Sequence, residues 1–240
     1  QLAERVALLK QYRIECGREN DPLLIAAGMR DKALPGKAVV RLGGSLIVVD
    51  ADETGRMSAQ AAADRLESRV FAIVANAGAT NCGAVDDIAG LADLAEAHDL
   101  WLHLDGAYGL AALANPVMRP QFDGIERAHS LIVDPHKWLF APYDSCALIY
   151  RDAAHGAAAH GQQAVYLDTV DKNHFNPSDY ALHLTRRARG LPLWFSLAVH
   201  GTDAYADAIA RTRQVAETIA DGIARMKGLD LLLGPQLTVI

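Results

Sequence analysis

An α/β fold with a mostly parallel sheet flanked by helices is predicted by three features of the chain. From Leu46 onward, short apolar runs alternate with stretches of helical length, the pattern of βαβ units. Several runs are apolar at nearly every position, as strands covered on both faces are. Two of them end in a carboxylate: Leu100-Trp101-Leu102-His103-Leu104 leads into Asp105, and Ser130-Leu131-Ile132-Val133 leads into Asp134. Open α/β sheets place their ligand sites at such C-terminal strand tips.

Taken in order, Leu2, Val6, Leu9, Arg13 and Cys16 follow roughly helical spacing, and Gly17 offers a stop. Asn20-Asp21-Pro22 is expected to cap a second helix running through Met29, which Leu34-Pro35-Gly36 breaks. Gly43-Gly44-Ser45 reads as a helix-to-strand turn. Leu46 to Val49 is a strand, Asp50 to Arg56 a polar turn, and Ser58 the cap of a helix continuing to Arg69. Val70 to Ala75 forms the next strand, and Asn76-Ala77-Gly78-Ala79-Thr80 is a small-residue loop at its end. Asp86-Asp87 starts a helix to about His98. Ser145 to Tyr150 adds a strand, and a long helix spans about Trp194 to Ala224. Leu237-Thr238-Val239-Ile240 reads as the entry to a further strand, so the chain is expected to be incomplete.

Composition narrows the function classes. The 240 residues suffice for a full core. A net charge of −6 with scattered Lys and Arg argues against a nucleic-acid partner. No apolar stretch is long enough to span a bilayer and no leader pattern opens the chain, so no membrane partner is expected and a cytoplasmic location follows by default. Cys16, Cys82 and Cys146 are odd in number and far apart, which indicates neither a disulfide framework nor a zinc knuckle.

The chemistry centres on Asp134-Pro135-His136-Lys137-Trp138. An amine such as that of Lys137 becomes a nucleophile when its surroundings lower its pKa. Asp105 on one strand end and Lys137 just beyond another are the two groups that pyridoxal 5'-phosphate chemistry needs: a lysine to form the Schiff base, and an acid to keep the pyridine nitrogen protonated. The bland readings are a surface lysine beside a core Trp138 and a strand-end carboxylate capping a turn. His103 shares a strand face with Asp105 and either orients that carboxylate or is a satisfied core histidine. A metal reading is also open, in which His103, Asp105, Asp134 and His136 converge as ligands of a hydrolase and Lys137 is idle.

At these residues the chain resembles the group II pyridoxal-phosphate-dependent amino acid decarboxylases, which include the aromatic-amino-acid and glutamate decarboxylases. The resemblance runs from about Val48 to about Lys227, through Asp50 to Met57, Ala79-Thr80-Asn81-Cys82-Gly83, His103 to Gly109, Asp134 to Trp138 and Trp194-Phe195. It implies the aspartate-aminotransferase-like fold (fold type I), with a mostly parallel seven-stranded sheet between helices. It also implies a homodimer and decarboxylation of an aromatic or acidic L-amino acid. The division it implies is a poorly matched helical segment over 1–45, a cofactor-binding large domain over 46–224, and the start of a small C-terminal domain over 225–240. By resemblance, Lys137 carries the cofactor and Asp105 meets its ring nitrogen. Ala107 packs on a ring face, Thr80 approaches the ring's phenolic oxygen or the substrate carboxylate, and His136 lies near the phosphate, with Asp134 and His103 completing the set.

The family's ring-stacking histidine has no counterpart in Leu34 to Val40, and nothing in Gln1 to Asp31 resembles its phosphate loop. The loop that supplies a Tyr proton donor in the family corresponds to Asp168 to Asp179, which has none; His174 is the candidate donor there, against the reading of a solvated loop histidine. Arg186, Arg187 and Arg189 suit a phosphate, a substrate carboxylate or a subunit-interface ion pair. Transamination or carbon–sulfur cleavage on the same cofactor, and a cofactor-free dimerisation partner, remain as alternative functions.

Overall fold

The computed structural model describes residues 23–27, 45–160, 176–180 and 185–240. Among them are six strands, β1 (Leu23–Ala27), β2 (Ser45–Val49), β3 (Val70–Asn76), β4 (Trp101–Asp105), β5 (Ser130–Val133) and β6 (Ala147–Tyr150). The helices are α1 (Ala59–Ala63), α2 (Ile88–Ala97), α3 (Ala153–His160) and α4 (Leu191–Ala224), joined by several short 3-10 turns. The strands form one sheet in the order β2-β1-β3-β4-β5-β6, parallel throughout except for β6, which runs antiparallel to β5. The mostly parallel α/β sheet is therefore as expected, with six strands rather than seven among the described residues.

The expected helix from Asn20 to Met29 is corrected: Leu23–Ala27 is a strand seated between β2 and β3. Leu-Leu-Ile-Ala-Ala is apolar at every position, and so short a run takes its conformation from its neighbours; two parallel ladders outweigh the helix signal at Pro22. The helix over 2–16 and the turn at Gly36 lie outside the described residues. Ser58 does cap α1, its hydroxyl accepting from the Ala61 amide at 3.1 Å, but α1 ends at Ala63 rather than Arg69 because the chain must turn before β3 begins at Val70. Asp87 caps α2, taking the Gly90 amide at 3.1 Å. Gly201, with φ 75° and ψ 166°, breaks α4 into two helical stretches.

β4 shows why the sheet is sided. Leu102 and Leu104 are buried in the main core with Ile73, Leu91, Phe122 and Ile209, whereas Trp101, His103 and Asp105 alternate onto the other, half-buried face. Register sets Asn76 beside Asp105 and His103 beside Ser130.

Leu237–Ile240 belongs to no strand, which corrects the expected entry into one. Its backbone is held by side chains instead of a neighbouring strand. Arg213 donates to the carbonyls of Pro235 and Leu237, the Thr238 amide donates to the Tyr108 hydroxyl at 2.9 Å, and Leu237 is fully buried.

The tightest backbone approach lies beside Asp105. A Cβ on Gly109 would stand 2.1 Å from the Ala77 carbonyl oxygen and 2.7 Å from the Gly78 Cα. Backbone atoms cannot swing aside as a flexible side chain can, so Gly109→Ala is expected to cost about 1–3 kcal/mol. An unchanged denaturation midpoint would show that the turn after β4 is free to move away from β3.

Candidate active site

The C-terminal edge of the sheet collects the acidic tips. Asp105 ends β4; its carbonyl accepts from the Ala77 amide at 2.8 Å and its Oδ1 from the Ala107 amide at 3.3 Å. The Asp134 amide donates to the Ala107 carbonyl at 3.0 Å, tying the turn after β5 to the turn after β4. Half-buried Ala107 thus sits between the two acidic tips.

Lys137 lies one turn beyond Asp134. Its amide donates to the Asp134 carbonyl at 2.9 Å and its Nζ approaches Asp134 Oδ2 at 2.9 Å. The Asp134 side chain is 13% exposed and that of Lys137 44%, so the pair opens to solvent from the lysine side. Next to it, Trp138 stacks on Tyr108 with ring centroids 5.1 Å apart and donates through Nε1 to Thr212 Oγ1 at 2.8 Å. This anchors both site turns to α4. His136 accepts the Ser145 amide on Nδ1 at 3.0 Å and meets the Tyr143 ring edge-on at 4.8 Å.

Cys146 escaped the sequence reading, which weighed the cysteines only as disulfide or zinc residues. It precedes β6, and because Val133 pairs with Ala147 in the antiparallel ladder, the start of β6 returns to the tip where β5 delivers Asp134. Cys146 is exposed as a residue, but partial desolvation of its thiol, reinforced by the nearby Asp134 carboxylate, pushes it up to about 12; Lys137 opposes and Asp105 adds to the shift. The thiol therefore stays protonated beside the Asp134–Lys137 pair. Asn76 and Tyr108 were likewise read only as loop and motif residues.

The remaining expected residues divide. His103 is on the Asp105 face, with Nδ1 2.8 Å from Ser130 Oγ; burial lowers its pKa, against the opposing pull of Asp105. Thr80 is exposed in the loop after β3, on the same sheet edge. His174 lies outside the described residues. Arg187 and Arg189 both reach Asp144 Oδ1, at 2.5 and 3.2 Å, so the structure pairs them with the loop after Lys137. The metal reading finds no support: no three His, Cys, Asp or Glu among the described residues are grouped to hold an ion.

The donor set fits pyridoxal phosphate. A solvent-facing primary amine, a carboxylate on a neighbouring strand tip and a small residue between them are present. Beside His136, the buried Ser145 Oγ has no hydrogen-bond partner among the described residues. A buried hydroxyl without a partner is a donor in want of an acceptor.

Comparison with known proteins agrees. Residues 36–240 match the pyridoxal-dependent decarboxylase conserved domain. The chain is 33% identical over 201 residues to an aromatic-L-amino-acid decarboxylase of Bacillus atrophaeus, covering 80% of this chain and 42% of that protein. It is 34% identical over 205 residues to an L-2,4-diaminobutyrate decarboxylase of Rhizobium meliloti (strain 1021), covering 82% of this chain and 41% of that protein. A crystal structure of mouse CSAD superposes with a TM-score of 0.82 at 28% identity, over 98% of this chain and 52% of that one. The chain thus spans about two fifths of the length of the curated relatives it matches. On the strength of that domain match and those identities, the chain belongs to the family of pyridoxal-dependent decarboxylases.

Proposed function

We propose that the protein of which this chain is a part removes the α-carboxylate of an L-amino acid, aromatic or acidic, as CO2, with residues 46–224 as the cofactor-binding large domain and 225–240 leading toward a smaller one. The observation that carries the reading is the meeting of Lys137, Asp134 and Asp105 at adjacent strand tips, on a chain whose family is pyridoxal-dependent. Pyridoxal phosphate, when bound, supplies the sink for the electron pair left at Cα as CO2 departs.

Each residue has a stated task. Lys137 would hold the cofactor through Nζ, and the Asp134 carboxylate at 2.9 Å is placed to take or steady its ammonium proton. Asp105 holds the proton on the cofactor's ring nitrogen, a charge fixed in place before reaction by the Ala107 amide and the β4 ladder. Ala107 would lie against the ring, His136 and Thr80 would hold the phosphate and the phenolic or carboxylate oxygens, and His103 would steady Asp105. His174 returns the proton to Cα.

The protein is read as a cytoplasmic homodimer. The free thiols of Cys82 and Cys146 suit a reducing compartment. Leu191, Trp194, Phe195 and Val199, exposed along the first turns of α4, suit cover by a second copy. No helix among the described residues is long and apolar enough to cross a membrane.

The test is product analysis with the full protein, pyridoxal phosphate and a panel of L-amino acids. Release of CO2 with formation of the amine is expected for at least one aromatic or acidic substrate. Formation of a keto acid without CO2 would replace decarboxylation by transamination.

A further inference from the structure

A line of polar contacts runs along β4 behind Asp105. Trp101 Nε1 donates to Ser130 Oγ at 2.9 Å, and Ser130 Oγ lies 2.8 Å from His103 Nδ1. Register brings them together: His103 pairs with Ser130 across the parallel β4–β5 ladder, and Trp101, His103 and Asp105 alternate onto one face of β4.

The chemistry of these groups fixes the direction of the protons. An indole N–H only donates, so Ser130 Oγ is the acceptor in the first contact; a second lone pair could accept from a His103 Nδ1–H, but the buried hydroxyl proton would then have no acceptor among the described residues, so that proton goes to His103 Nδ1. Ser130 is 5% exposed, so water does not readily compete for that proton. Burial also disfavours the charged form of His103, which therefore carries one ring proton near neutral pH. A neutral imidazole that accepts on Nδ1 has its proton on Nε2.

We propose that Ser130, itself oriented by Trp101, is a positioning residue that fixes His103 in the Nε2–H form and so makes that N–H available to the Asp105 carboxylate two residues further along the same face. The benefit to the reaction rests on the reading of Asp105 as the partner of the cofactor's ring nitrogen. An Asp105 held by a donated hydrogen bond keeps one orientation; with the other tautomer of His103 it would face a bare lone pair and be pushed aside. Neither Ser130 nor Trp101 touches the reacting atoms.

The test uses the full protein labelled with ¹⁵N-histidine, read by NMR without cofactor, the His103 signals being assigned by their loss in His103→Gln. The wild type should show a single Nε2–H form. Ser130→Ala should give a mixture of tautomers and Ser130→Thr, which keeps the hydroxyl, the wild-type pattern. Should Ser130→Ala not fold, Trp101→Phe, which removes the indole N–H and keeps an aromatic ring, should also give a mixture. A proton on Nδ1 in the wild type, or identical spectra in Ser130→Ala and wild type, overturns the relay.

With pyridoxal phosphate added, Ser130→Ala should retain it about tenfold more weakly and Ser130→Thr as the wild type does. Unchanged retention despite mixed tautomers would overturn the link to Asp105. A wild type that shows the Nε2–H form yet retains no pyridoxal phosphate would support the relay and overturn the cofactor reading instead.

Discussion

Lys137→Ala is expected to abolish the visible absorption that the wild-type protein keeps after incubation with pyridoxal phosphate and desalting, and to lower CO2 release by about a thousandfold or more. The side chain removed is nearly half exposed and, among the described residues, its ion-pair partner is Asp134 Oδ2 at 2.9 Å, so the fold should survive the truncation. A surface ion pair contributes about 0–1 kcal/mol, and with Asp134 only 13% exposed the loss should lie near the upper end of that range, a small shift in melting temperature. Lys137→Arg separates the two things the lysine offers. Arginine keeps a cation beside Asp134 but is not deprotonated in proteins and cannot form the covalent link. It should therefore match the wild type in stability and Lys137→Ala in its missing band. A band that persists in Lys137→Arg would mean that the amine's charge, rather than its nucleophilicity, holds the cofactor, and would remove Lys137 from the role proposed for it.

Much of this edge of the sheet was legible in the sequence because it needed only local signals. The apolar runs ending in Asp105 and Asp134 announce strands with polar tips, and the Lys137 turn follows directly from the second of them. What was illegible depends on register. Ser130 meets His103, and Cys146 returns to Asp134, only because β4–β5 and β5–β6 pair at particular residues, and no spacing along the chain carries that information. β1 failed for a related reason. Leu23–Ala27 is too short to show a period of its own, Pro22 suggests a helix start, and the strand exists because β2 and β3 offer hydrogen bonds on both sides. The single long helix expected near Trp194 was sound in extent, yet the break at Gly201 is a backbone choice that glycine permits and does not demand.

Asp86→Asn is expected to change how stability responds to pH. Asp86 is 1% exposed, with Oδ1 accepting the Met57 amide at 2.7 Å and Oδ2 the Asn76 amide at 2.6 Å; it ties the turn before α1 to the end of β3, next to Asp105. Two effects compete for its proton. Burial disfavours the carboxylate, and the two amides with nearby Arg56 favour it; burial wins, raising the group to about 7 from an ordinary value of 3.8. The sign follows from that order. Below pH 4 the acid is protonated whether folded or unfolded, and its contribution to stability is fully present. As pH rises toward 7 the unfolded chain sheds the proton while the folded chain retains it, so stability falls, and above 7 the loss is complete. A displacement of this size corresponds to roughly 4 kcal/mol, or on the order of 10 °C in melting temperature. Asparagine does not titrate but turns an N–H₂ toward one of the two amides, a mismatch worth about 1–3 kcal/mol at every pH. The stability of the wild type relative to Asp86→Asn should therefore decline between pH 4 and 7 and level off above 8, as read by paired thermal melts of the full protein. A difference that stays flat or grows with pH would show that the two amide hydrogen bonds outweigh burial and that Asp86 is ionised throughout.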